Sequence, residues 1–122
     1  MTAEGPARPI DPQVRIGHVH LKVTDLERAL RFYNGVLGFE ITLRYGTQAA
    51  FVSAGGYHHH IGLNTWESRG GSPPPPGTTG LYHTAVLYPT RKALEVAAAC
   101  PESGHCPGRG ERPRGQRGAV PA

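Results

Sequence analysis

Cysteine is almost missing from this chain of 122 residues, with only Cys100 and Cys106 present. So small a number rules out a fold built on disulfide bridges. Those two and His105 sit close enough to suggest zinc, but no second pair completes the usual four ligands. Long apolar runs are missing too. None approaches the roughly 18 residues of a membrane span, and Met1 to Pro12 has no basic-then-apolar signal pattern. The expectation is a soluble, cytoplasmic, single-domain protein with no membrane partner. Charge is thin and unevenly placed. The net charge is +4, and Arg109, Arg112, Arg114 and Arg117 against Glu102 and Glu111 put half of that excess in the tail. Aromatics make up 7% of the chain and do not interleave with a basic stripe, so nucleic acid is not an expected partner.

The stretch Arg15 to Val23 reads as a strand feeding a helix. Successive strand side chains point to opposite faces. Val19, Leu21 and Val23 therefore share one face, and His18, His20 and Lys22 the other. The apolar face calls for a helix laid over it, and the imidazole face would line a concave surface. Leu26, Ala29, Leu30, Tyr33 and Leu37 recur at helical spacing, which predicts a helix over about 25–36. Thr24 and Glu27 form a candidate capping box, with Asp25 as a competing N-cap, and Gly38 is a stop.

Phe39, Ile41 and Leu43 alternate with polar residues and predict a second strand on one apolar face. Residues 48–53 predict a third. Ala54-Gly55-Gly56 turns the chain, and Tyr57 to Thr65 predicts a fourth strand. In that strand His58, His60 and Asn64 would share one face, while His59, Ile61 and Leu63 share the other. The order is β-α-β-β-β. Residues 67–80 read as a Gly/Pro linker, with Pro73 to Pro76 favouring a stiff extended segment. Leu81 to Leu87 predicts another strand, and Thr90 to Ala99 a helix with Thr90 as N-cap. Strand, histidine near its start, then helix repeats the opening unit in shortened form. The chain thus divides into a flexible leader over 1–13, a first module over 14–66, the linker, the start of a second module over 81–99, and a tail over 100–122. Gly, Pro and Arg fill 13 of the tail's 23 positions, a composition that predicts disorder.

Three predicted strands each bring a histidine to one inferred face: His18, His60 and His83. Any one of them alone reads as a partly buried, hydrogen-bonded side chain. All three, at matching positions in two repeated units, read as a metal or catalytic site. Same-face residues on one strand lie about 7 Å apart, so His20 reads as a substrate contact beside His18 rather than a second ligand. Asn64 and Trp66 suit either a pocket mouth or loop-edge packing. Tyr82 and Tyr88 fall opposite His83 and read as packing.

Gly17 to Phe39 resembles the opening of the vicinal oxygen chelate superfamily, which includes glyoxalase I, bleomycin-resistance proteins and extradiol dioxygenases. The carrying features are His18-Val19-His20-Leu21-Lys22-Val23-Thr24-Asp25, Phe32-Tyr33 on the helix, and Leu37-Gly38-Phe39 after it. Tyr57 to Trp66 and Gly80 to Pro89 are similar to the catechol-2,3-dioxygenase-like branch. The resemblance covers about residues 14–96. It implies an α+β fold of paired βαβββ modules curved around one metal, here with the second module limited to a strand plus helix. It implies an oxidoreductase that cleaves a catechol-like aromatic beside its diol. His18 and His83 are the implied metal ligands. His60 is implied as a pocket residue serving as acid/base or additional ligand. Strand facing, apart from the resemblance, adds His20, His58 and Asn64 as pocket residues. The implied cofactor is a divalent metal, Fe(II) first, with Mn(II), Zn(II) or Ni(II) as alternatives. The implied third ligand is a glutamate on the last strand of the second module. Glu95, Glu102 and Glu111 lie in no matching motif, so catalysis is expected only once the site is completed. A resistance-type binding protein and a glyoxalase-type isomerase are the other activities the resemblance allows. An open strand edge invites pairing with another chain or aggregation, and a homodimer is one assembly this allows.

Overall fold

The computed structural model describes residue 5 and residues 7–99. The tail expected over 100–122, with Cys100, His105 and Cys106, lies outside the described residues, as does part of the leader. The architecture is α+β. Strand β1 (Val19–Lys22) leads into helix α1 (Leu26–Leu30), which continues through Arg31–Val36 in π-helical turns. Strands β2 (Glu40–Tyr45), β3 (Ala49–Ser53) and β4 (Ile61–Asn64) follow, and helix α2 spans Arg91–Ala98. The four strands form one sheet in the order β1-β4-β3-β2. β1 pairs parallel with β4, and the other two pairings are antiparallel. Among the described residues no helix is long and apolar enough to cross a membrane.

The alternation expected from the sequence decides the faces. Leu26, Leu30 and Phe39 pack with Ala50, Val52, Ile61 and Leu63 in one apolar cluster, with Val19 and Leu21 against its margin. Burying those side chains under the helix sends their strand neighbours to the other face. Asp25, not Thr24, caps α1: it is extended and its carboxylate accepts from the Arg28 N–H at 3.0 Å. The π-helical continuation carries the Leu37 N–H to the Phe32 carbonyl at 2.9 Å. Gly38, with φ of +85°, then turns Phe39 into the core. A left-handed φ of that kind is cheap only for glycine.

Three expectations need correction. The second strand does not keep Phe39, Ile41 and Leu43 on one face. The pairing with β3 shifts between Ile41 and Leu43, and such a bulge adds a residue and reverses the alternation beyond it. Ile41 therefore packs on the core while Leu43 is 55% exposed on the opposite face. The fourth strand starts at Ile61, not Tyr57, because residues 57–60 form a bend after Gly55 and Gly56. Residues 81–87 form no strand. A strand exists only where a neighbour accepts and donates its backbone hydrogen bonds, and none of the described strands pairs with this segment. Val86 nonetheless packs on the core cluster. The helix that follows begins as expected, with the Thr90 hydroxyl accepting from the Ala93 N–H at 3.1 Å.

Leu63 is fully enclosed at the centre of this core. Leu63→Ala should cost about 2–5 kcal/mol, read as a lowered urea midpoint. Leu43→Ala should stay within about 0.5 kcal/mol. Equal effects would contradict the assignment of faces.

Candidate functional site

Two sets of imidazoles meet around the start of β1. The first lies on the sheet face away from the helix. His20 on β1 pairs in register with Gly62 on β4, which pairs with Phe51 on β3. Gly62 has no side chain, so the His20 ring lies over it: a Cβ there would come 2.9 Å from His20 Nδ1. From that place His20 meets Phe51 edge-on, with centroids 5.7 Å apart, and Trp66 at 5.6 Å. Phe51 also packs on His59 at 4.8 Å. Asn64 ends β4 on the same face, its Oδ1 accepting from the Trp66 N–H at 3.1 Å.

The bend over 57–60 is held on several sides. The His60 N–H donates to the Val52 carbonyl at 2.9 Å, and the Val19 N–H donates to the His60 carbonyl at 3.0 Å. The Thr42 hydroxyl, at the bulge of β2, donates to the His58 carbonyl at 2.7 Å. The Tyr57 ring lies between His58 and His60, at 4.1 and 4.6 Å. It can do so because residue 17 is glycine: a Cβ there would lie 3.1 Å from the Tyr57 hydroxyl.

This bend brings His18, His58 and His59 together, one ring nitrogen from each lying within 4.8 Å of the others. The nearest pair is His58 Nδ1 and His59 Nδ1, at 2.9 Å. His59 was expected to point away from its neighbours, as a strand requires. It does not, because the bend releases it from strand alternation. The signal in the sequence was Gly55-Gly56 just before Tyr57, a pair able to lengthen the hairpin loop at the expense of the strand.

His60 is turned elsewhere. The Ala54 N–H donates to its Nδ1 at 3.2 Å, and Ser53 Oγ lies 3.4 Å from the same atom. With Nδ1 accepting, the ring proton of neutral His60 sits on Nε2. His60, His18 and His83 line one cleft of about 530 Å³. Ile16, Val19, Phe39, Ile61, Leu81 and Val86 supply its apolar wall. His83 therefore opens onto the same space as His18, although it is outside the group formed by His18, His58 and His59. No carboxylate lines the cleft among the described residues.

Crowding governs the charge. Burial lowers the His59 pKa below the usual 6.5, and the neighbouring His18, His58, His20 and His60 lower it further. Burial, then His58, does the same to His60. Neutral rings are the form in which imidazole binds metals or donates and accepts single protons.

A family model described as the Glyoxalase/Bleomycin resistance protein/Dioxygenase superfamily matches residues 15–119. That match runs past residue 96, where the motif resemblance ended. Catechol-2,3-dioxygenase of Bacillus subtilis (strain 168) is 51% identical over 84 residues. Those residues are 68% of this chain and 30% of the relative, so the chain spans under a third of its length. No solved structure matches the chain.

Two outcomes follow from the geometry. Folded His59 and His60 resist a proton that the unfolded chain takes up near 6.5. Stability should be complete above that pH and fall as the pH drops through it toward the depressed folded values. Urea midpoints between pH 8 and pH 5 will show this, and His60→Gln should flatten part of the decline. Gly62→Ala should displace the His20 ring and alter Trp66 fluorescence. Gly35→Ala, where a Cβ meets nothing within 4 Å, should leave the emission unchanged.

Proposed function

Since the chain belongs to the glyoxalase/bleomycin resistance protein/dioxygenase superfamily, we propose that it serves an extradiol, catechol 2,3-type ring cleavage on a catechol-like aromatic. The observation that carries this reading is the cleft shared by His18, His60 and His83, in a chain 51% identical over its matched part to a catechol-2,3-dioxygenase.

The donor set fits a divalent d-block ion, because neutral imidazoles suit such metals. His18 and His83 would hold it, with Fe(II) first and Mn(II), Zn(II) or Ni(II) as alternatives. When bound, the ion would supply Lewis acidity toward the diol and, as iron, a path for electrons from the substrate to dioxygen. The chain's own residues do the rest. The apolar wall, in which Ile16 and Leu81 stand largely exposed, offers the aromatic ring a surface to pack against. His60 offers the proton on Nε2, fixed there by the Ala54 N–H on its other nitrogen. It is thus a hydrogen-bond donor to a bound oxygen, and its lowered pKa keeps it neutral near pH 7. His20, His58 and Asn64 lie outside the lining of this cleft, so a substrate contact there would require a ligand that reaches past His18 onto the open sheet face. The outer edge of β1 has no strand partner among the described residues, and a second copy could pair there.

A binding protein without chemistry is the second reading. It is favoured by the mostly apolar cleft wall and the lack of a lining carboxylate.

One assay separates the two. The purified chain, reconstituted with Fe(II) and given catechol in air, should form the yellow ring-cleavage product and lose that activity to a chelator. His83→Ala should abolish it. His60→Leu, which removes the Nε2–H donor, should lower kcat by roughly 10²–10³-fold, the usual worth of one lost donor to a developing oxyanion. Catechol binding that survives the chelator without turnover would replace the enzyme with the binding protein.

A further inference from the structure

The geometry points to a metal site of three imidazoles, His18, His58 and His59, that binds a divalent ion of the nickel–copper–zinc group. This goes beyond the reading above. It shares His18 with that reading but takes its other two ligands from the bend after β3 rather than from His83.

Four observations carry it. One ring nitrogen from each of the three lies within 4.8 Å of the others. His58 Nδ1 and His59 Nδ1 are 2.9 Å apart, which is about the spacing of two adjacent ligands each ~2.0–2.1 Å from a common ion. The ring centroids of His18 and His59 are 4.3 Å apart and those of His58 and His59 4.6 Å apart, so small rotations bring the third nitrogen in. The backbone that carries them is already fixed from three sides, by Val19 and Val52 through His60, and by Thr42 through the His58 carbonyl. A held loop has less freedom to lose on binding.

The donor chemistry selects the ion. The group contains no carboxylate, which disfavours magnesium and calcium. Three imidazoles favour nickel, zinc and above all copper in the usual order of affinity. His18 and His58 are exposed and His59 half-buried, so solvent would complete the coordination. An ion here would clip the start of β1 to the β3–β4 loop.

The test uses the full chain with Cys100 and Cys106 alkylated, so that thiols do not compete. Substoichiometric Cu(II) should broaden the ring proton resonances of His18, His58 and His59 before those of His60 and His83. Calorimetry with Zn(II) should give one site per chain. His59→Phe keeps a ring packed on Phe51 but removes both donors. It should weaken that site by more than the roughly 10–100-fold that a lost outer contact costs. The inference is overturned if no ring responds at one equivalent, leaving a hydrogen-bonded pair only. It is also overturned if His83→Ala removes the site while His59→Phe does not. Failure of ring cleavage has no bearing on either result.

Discussion

One buried face of a four-stranded sheet organises the molecule. Leu63, Val52, Ala50 and Ile61 must leave water together, and α1 is the surface they leave it against. The pleat has period two, so their burial obliges Gly62, Phe51 and His20 to face the other way. The imidazole face is therefore a by-product of core formation. Slipping β4 by one residue would exchange the two faces entirely.

Departures from regularity aim the site. The bulge in β2 turns Leu43 outward and places the Thr42 hydroxyl under the His58 carbonyl. The bend after Gly56 breaks a run that would otherwise alternate, so His58 and His59 fall on one side with His18 while His60 turns to the Ala54 amide. Glycines at 17 and 62 clear space for Tyr57 and His20. Each of these is local, and each changes which histidines can share a ligand.

His18 stands between two arrangements. Toward the cleft it shares lining with His60 and His83, and toward the bend it joins His58 and His59. Both are clusters of imidazoles without a carboxylate among the described residues, and burial and then crowding lower the pKa values of His59 and His60. The apolar wall makes the first suited to an aromatic ligand. The held loop makes the second suited to an ion.

Much of this was legible in the residues. Periodicity located the β-α-β-β-β order, the helix over the apolar face, and the outward placing of His20; His18 lies just before β1, where strand alternation does not reach it. Motifs around His18, Phe32 and Leu37 pointed to the family. Local pattern cannot register what depends on partners distant in the chain. Whether residues 81–87 become a strand depends on a neighbour to pair with, and none of the described strands offers one. Whether His59 turns toward His18 depends on the bend that Gly55, Gly56 and Tyr57 make against Gly17, 40 residues earlier. Alternation and composition are properties of a segment, and the chain alone settled them. Ligand grouping is a property of contacts between segments, and only the packed fold decided it.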